Sequence, residues 1–293
     1  MFFTLSAGLA PISPSRPNER ANASEPWRST VAGLALLATL MLGGCAGPLA
    51  IEEEWAADGD TPIESGSTSR AASPALEKAA GLLLTTPEAH APWEPFLLPG
   101  KRHAAFEPVQ SQGRTALRVQ ANQSVSILRQ RFEPPLMSPG HLSFSWRING
   151  LPLNADLAVA AQADAAVRIV LAFDGDRSRW SARNHRLSDM SRLLTGEPLP
   201  YASLVYVWSA KDAPGSVVVN SRTDSIRKLV IDSGTTHVGV WRDHVRDVRA
   251  DFRQVFGEEP GPLLQVGLMT DTDNTNSRLT AWYGSLLLEH AVD

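Results

Sequence analysis

Leu142-Ser143-Phe144-Ser145-Trp146-Arg147-Ile148 places a large apolar side chain at every second position, with serine or arginine between. A period of two is the pattern of an extended strand that rests one face on a core and turns the other away. Val167, Ile169, Leu171 and Phe173 repeat it, opposed by Arg168 and Ala172; Val125 with Ile127, and Leu117 with Val119, repeat it more briefly. Further strands are expected near 104–109, 202–209, 215–220, 226–232, 262–270 and 278–288. About ten short strands with frequent turn residues predict a mostly β fold, an antiparallel β-sandwich of jelly-roll-like arrangement, rather than βαβ units.

One segment departs from this period. At ~100° per residue, Trp241, Val245, Val248, Phe252 and Val255 fall in one stripe, Arg242, Arg246, Arg249 and Arg253 in a second, and Asp243, Asp247 and Asp251 in a third. This predicts an amphipathic helix over 241–256, stopped by Gly257 and Pro260, whose apolar stripe covers an open edge or end of the sandwich. The arginine row has two readings, an anion-binding face or solvated charge in local ion pairs.

Upstream, Val31–Leu42 is an apolar run of twelve residues, preceded by Arg28 and, further back, Arg16 and Arg20. It is short of the ~20 residues of a membrane span and suits the core of a signal peptide. Leu42-Gly43-Gly44-Cys45 closes the run, and Cys45 is the single cysteine of the 293 residues. The arrangement reads as a lipoprotein signal over 1–44 with Cys45 as the acylated first residue of the mature chain. The segment before Arg28 is long for such a signal; no methionine between Met1 and Met41 offers a later start. One acyl chain anchors only marginally, at ~0.8 kcal/mol per buried methylene, whereas several on one cysteine hold durably. Resemblance to bacterial lipoproteins implies such multiple acylation, and Ala46 after the cysteine implies export to the outer membrane; the periplasmic side is the expected one, although no residue distinguishes it from the cell exterior.

An acylated Cys45 leaves no thiol, which excludes disulfides, cysteine-ligated zinc, iron–sulfur clusters and a cysteine nucleophile. Stability then rests on the core, for which 43% apolar residues suffice. A net charge of −4 with no extended Lys/Arg run gives nucleic-acid binding no electrostatic basis. Residues 45–88 read as a flexible tether, with Ser73-Pro74 able to start a short helix through Leu84. Residues 89–293 read as a single sandwich domain.

Three stretches could carry chemistry. Leu194-Thr195-Gly196-Glu197-Pro198-Leu199-Pro200-Tyr201 leads into Ala202–Trp208, where Tyr206 and Trp208 point the same way. Such a pair, with Glu197 and Tyr201 beside it, forms either an aromatic platform for a sugar ring or part of the core. Phe173-Asp174-Gly175-Asp176 is first a turn, with glycine supplying a positive φ, and second a pair of carboxylates. Thr270-Asp271-Thr272-Asp273-Asn274-Thr275-Asn276 is dense in oxygen ligands, which makes Asp271 and Asp273 candidate calcium ligands. It lacks the EF-hand glycine and glutamate, and a polyol-binding loop or a rigid Asx connection fits it equally. His237 and His244 stand in no zinc-ligand spacing, and neither a nucleophile elbow nor a P-loop is present.

Trp93-Glu94-Pro95-Phe96 with Pro99-Gly100-Lys101, the Asp-Gly-Asp turn, the LTGEPLPYASLVYVW run, and MTDTDNT with Trp282-Tyr283-Gly284 together resemble a bacterial family, domain of unknown function 3047, over about residues 90–290. Members commonly carry an Asp after the Tyr-Gly pair where this sequence has Ser285, which weakens any ligand-binding carboxylate on the last strand. The resemblance implies a secreted or lipid-anchored single domain and brings no established activity.

The residues thus point to a non-catalytic glycan- or polyol-binding module of the cell envelope, with no cofactor required. The alternatives are a carbohydrate-active enzyme using Glu197 with Asp174 or Asp271, and an envelope scaffold whose 241–256 helix meets a protein partner. Oligomeric state is not legible in the sequence.

Overall fold

The computed structural model describes residues 59–63 and 92–290, all within the compact unit Glu54–Asp293. The signal segment, Cys45 and the helix expected from Ser73 lie outside the described residues. Two sheets face one another. One has six strands in the order β1 (Thr61–Pro62), β3 (Phe106–Ser111), β4 (Arg114–Asn122), β13 (Arg278–His290), β6 (Pro139–Ile148) and β11 (Arg242–Asp247). The other has seven, in the order β2 (Glu94–Pro95), β5 (Val125–Leu136), β12 (Leu263–Asp271), β7 (Ala165–Phe173), β8 (Ala202–Ser209), β10 (Ile226–Ser233) and β9 (Val217–Val219). Pairing is antiparallel except between β8 and β10, which run parallel. The segment between them is long enough for the crossover a parallel pair requires, and it carries the edge strand β9.

The period-two residues form the layer between the sheets. Leu142, Phe144, Trp146 and Ile148 of β6 are buried, as are Val167, Ile169, Leu171 and Phe173 of β7 and Leu204, Tyr206 and Trp208 of β8. Burying aromatic rings of this size dominates the energetics of such a core.

The stretch 241–256 corrects the sequence reading. Its first part is the edge strand β11, paired antiparallel with β6, and only Val248–Phe256 is helical (α2). The side chain of Asp247 accepts a hydrogen bond from the Ala250 amide at 2.9 Å, and that N-cap starts the helix there. Val245 is 65% exposed, so the apolar stripe is broken, while Val248, Phe252 and Val255 are buried in the main core. Helix α2 contacts β6 of one sheet and β10 of the other, and Phe252 meets Phe173 edge-on at 4.7 Å. The arginine row dissolves into separate pairs: Arg242 with Asp232, Arg246 with Asp251, and Arg249 and Arg253 with Glu259.

A helix that periodicity missed, α1 (Ala182–Thr195), follows β7. Met190, Leu193 and Leu194 are exposed on it, so it has no apolar stripe turned inward. Its ends were the readable signal, with Ser181 capping the Asn184 amide and Gly196 closing it in the left-handed conformation.

Within the stretch 45–88 read as a tether, Thr61–Pro62 is instead a strand on β3. The neighbouring Asp60 accepts a hydrogen bond from Trp282 Nε1 at 2.6 Å and lies within 4 Å of Arg118 and Arg147. The carboxylate docks this segment because it meets two cations and an indole donor.

A candidate ligand-binding site on the outer face of the seven-stranded sheet

Tyr206 and Trp208 are core residues, which corrects the platform reading. Both are 0% exposed. Tyr206 donates to Asp251 at 2.7 Å and Trp208 Nε1 donates to the Gly234 carbonyl at 3.0 Å. Alternation decides this: β8 sits between β7 and β10, and its even positions from Leu204 to Trp208 face the other sheet.

The opposite face of the same strands carries a hollow. Strand register aligns Gln265, Ala172, Ser203 and Ile226 in one row, Gly267, Val170, Val205 and Lys228 in the next, and Met269, Arg168, Val207 and Val230 in a third. The middle of this patch is glycine, alanine, serine and valine, flanked by long side chains, so the sheet surface is recessed. Residues near Ala160 and Ala163 on one side, and Asn220 to Arg222 on another, wall it into a cavity of about 300 Å³. Val170, Val205 and Met269 supply apolar lining, and Ser203, Asn220 and Asn274 supply hydroxyl and amide groups.

Charged side chains in this wall are buried to a degree rare for their type. Arg168 and Lys228 are each 4% exposed and Asp271 is 7% exposed. Arg168 Nη1 donates to Asp271 at 2.9 Å and Nη2 to the Ala163 carbonyl; its Nε has no partner among the described residues. Lys101 pairs with Asp273. Burial, with the Asp164 and Asp273 carboxylates nearby, pushes Asp271 up to about 6 even though Arg168 opposes this. Burial and the repulsion of Arg168 bring Lys228 down to about 8. Perturbed ionisable groups on a recessed, partly apolar surface mark the default ligand site of a domain.

Asp271 and Asp273 join Asp164, a residue sequence reading did not single out, with one oxygen of each within 4.8 Å of the others. As calcium ligands they are encumbered. Calcium takes about six to eight oxygens, whereas Arg168 and Lys101 already neutralise two of these carboxylates. Asp164 spends both oxygens on Asn274 and Thr275, whose hydrogen bonds hold its carboxyl low despite burial. It thereby fixes the 271–277 loop from the start of β7. The set fits an ion-pair and loop-anchoring network more closely than a calcium shell.

The remaining sequence candidates lie elsewhere. Glu197 is clamped by Arg129 at 2.7 and 2.8 Å and by Arg131 at 2.5 Å, and the Arg129 hydrogen bonds hold its carboxyl below the usual range. Asp174 pairs with Arg177 at 2.9 Å. Neither lines the cavity, so the pairing of Glu197 with Asp174 or Asp271 as acid and base is not assembled. Asp271 stands eight residues along β7 from the Phe173 end that Asp174 follows, ~27 Å at 3.4 Å per residue. Tyr201 lines a separate hollow of about 190 Å³ with Trp180 and Phe256 and donates to Glu258 at 2.8 Å. The glycine of the Asp-Gly-Asp turn has a different role from the one expected. Gly175 is not at positive φ; a Cβ there would stand 2.2 Å from the Tyr201 ring, so glycine is required by close approach.

The motif stretches meet in pairs. Glu94 and Glu197 share Arg129 and Arg131, Lys101 reaches Asp273, and Gly175 backs Tyr201. A sequence profile for a protein family of unknown function, DUF3047, matches residues 91–287. The chain belongs to the DUF3047 family. The match covers nearly the whole described part of the DUF3047 domain, in keeping with the resemblance carried by those motifs. No curated protein matches the chain.

Among solved structures, the DUF3047 domain is similar to the xyloglucanase domain of NopAA, a type three effector from Sinorhizobium fredii, at 10% identity and TM-score 0.32 over 69% of this chain and 97% of that one. It is also similar to the endo-1,4-β-glucanase CelB2 at 11% identity and TM-score 0.33, over 68% and 97%. A family 29 carbohydrate-binding module, CBM29-2, gives 9% identity and TM-score 0.27, over 67% and 90%. These likenesses are loose, and the sandwich architecture rests on the two sheets themselves.

Proposed function

We propose that this DUF3047 domain is a binding module for a small polyhydroxylated ligand, a sugar or related polyol, seated in the cavity on the outer face of the seven-stranded sheet. The observation that carries the reading is the convergence of buried Arg168, Lys228 and Asp271 with Ser203, Asn220 and Asn274 on one recess of about 300 Å³. That volume is at the lower end for small-molecule sites, and a few placed polar groups on an apolar base are what orient a ligand there. A binding role, rather than hydrolysis, accords with the state of the lining carboxylates, since Asp271 and Asp273 are both engaged by basic partners.

Calorimetry of the full-length protein against a panel of hexoses, uronates, alditols and disaccharides tests this. At least one class should bind saturably, and Val205→Phe, which fills the recess from its floor, should abolish that binding. No heat with any of them, or binding untouched by Val205→Phe, would overturn the proposal.

The module is further proposed to be held on the periplasmic side of the outer membrane through acylated Cys45. The apolar run, the Gly-Gly-Cys ending and Ala46 support this. Labelling with an alkyne fatty acid in a Gram-negative host should mark the wild-type protein and not Cys45→Ser. An unlabelled wild type would refute the anchor.

A further inference from the structure

Among the residues that line the cavity, the cations Lys101, Arg168, Arg222 and Lys228 outnumber the carboxylates Asp271 and Asp273. Lys101 is paired with Asp273 and Arg168 with Asp271, which leaves Arg222 and Lys228. Arg222 is exposed at the rim, where water solvates it. Lys228 is 4% exposed, yet among the described residues its ammonium donates only to the neutral Leu157 carbonyl, at 2.8 Å. Asp212, Asp271 and Asp156 act on it, but none is within the 4.0 Å of an ion pair. Burying a charge without a counter-charge is among the costlier arrangements a fold can hold. Beside it, Arg168 Nε is a second buried donor with no acceptor among the described residues.

From this imbalance we infer that the ligand is an acidic sugar, and that its carboxylate is the counter-charge of Lys228. The inference rests on the binding reading above and names its ligand class. A carboxylate is favoured over a phosphate ester by charge. One buried cation with no ion-pair partner among the described residues is matched by a monoanion, whereas a phosphate brings roughly −1.5 to −2. The hydroxyls of Ser203 and Ser221, the Asn220 Nδ2 and the Asn274 Oδ1 remain for the sugar's hydroxyls, since Asn220 Oδ1 accepts from the Arg222 amide and Asn274 Nδ2 donates to Asp164.

The test compares glucuronate and galacturonate with glucose and galactose, and with glucose 6-phosphate, by calorimetry on the full chain. Wild type, Lys228→Met and Lys228→Arg are used, with circular dichroism confirming each fold. The uronates should bind about tenfold or more tighter than their parent hexoses, as a desolvated charge pair implies. Lys228→Met should erase that preference and Lys228→Arg should retain part of it. Equal affinity for hexose and uronate, or a preference that survives Lys228→Met, overturns the carboxylate assignment and leaves the binding reading standing. Tighter binding of the phosphate than of either uronate overturns it in favour of a dianion. Absence of binding by every sugar removes the binding reading and this inference together.

Discussion

Trp208→Ala is expected to destabilise the domain by about 3–5 kcal/mol, read as a drop in the urea unfolding midpoint. The ring is 0% exposed, 6.5 Å from Trp146, and its indole N–H is spent on the Gly234 carbonyl. Truncation removes the largest side chain of β8, opens a void between the sheets and leaves that carbonyl without its donor. A surface platform would respond in the opposite way, with unfolding nearly unchanged and ligand binding lost. A loss below about 1 kcal/mol would therefore refute the core assignment, since truncation of a fully buried tryptophan cannot be that mild.

Lys228→Met is expected to stabilise the protein at neutral pH while altering the pH dependence of unfolding. Lys228 titrates near 8 in the folded protein against an ordinary value of 10.5. Between those values the unfolded chain binds more protons than the folded one, so wild-type stability rises as pH increases from about 8 to about 10.5. Below pH 8 the amine is charged in both states and the full cost of burying it is present. That cost is on the order of 3 kcal/mol, and losing the hydrogen bond to Leu157 offsets about 1 of it on substitution. The variant should thus gain about 2 kcal/mol at pH 7, and the difference from wild type should shrink toward pH 10.5. Arg168 and the acids Asp156, Asp212 and Asp271 act on this amine, and they are common to both proteins, so their titration largely cancels in the comparison. A variant less stable than wild type at pH 7, or a difference flat with pH, would show that the ammonium is not held at a cost. A stability cost retained at a cavity wall is the behaviour of a site group rather than a structural one.

How much was legible in the sequence follows from the range of each interaction. Strand faces are local, because side chains two residues apart share a side, and β6 and β7 were read from alternation alone. The 241–256 segment misled because Trp241, Val245, Val248, Phe252 and Val255 meet the helical period numerically, and Arg242–Asp247, with Val245 its one apolar residue, has no apolar alternation to set a strand against a helix. The Asp247 cap and the pairing with β6 decided between them. Helix α1 escaped because its apolar residues face outward and only its caps mark it.

The candidate site was less legible. Asp271, Asp273 and the loop around them stood out by density of oxygen ligands, and they do line the cavity. Arg168 looked like the ordinary solvated side of its strand, and Lys228 was not singled out. Nothing nearby in sequence reveals that residues around Ala160 and Asn220 roof that side. Asp164 likewise acts across more than a hundred residues, on Asn274 and Thr275.

The sequence by itself determined the sandwich class, the family and the expectation of a lipid anchor at Cys45, because these depend on periodicity and short motifs. Tertiary structure alone decided which face of the seven-stranded sheet is buried and which is recessed. It thereby turned Tyr206 and Trp208 into core, and Lys228 into a buried charge with no ion-pair partner among the described residues. The physical reason is that alternation defines two faces but leaves them equivalent until a second sheet covers one and loops enclose the other.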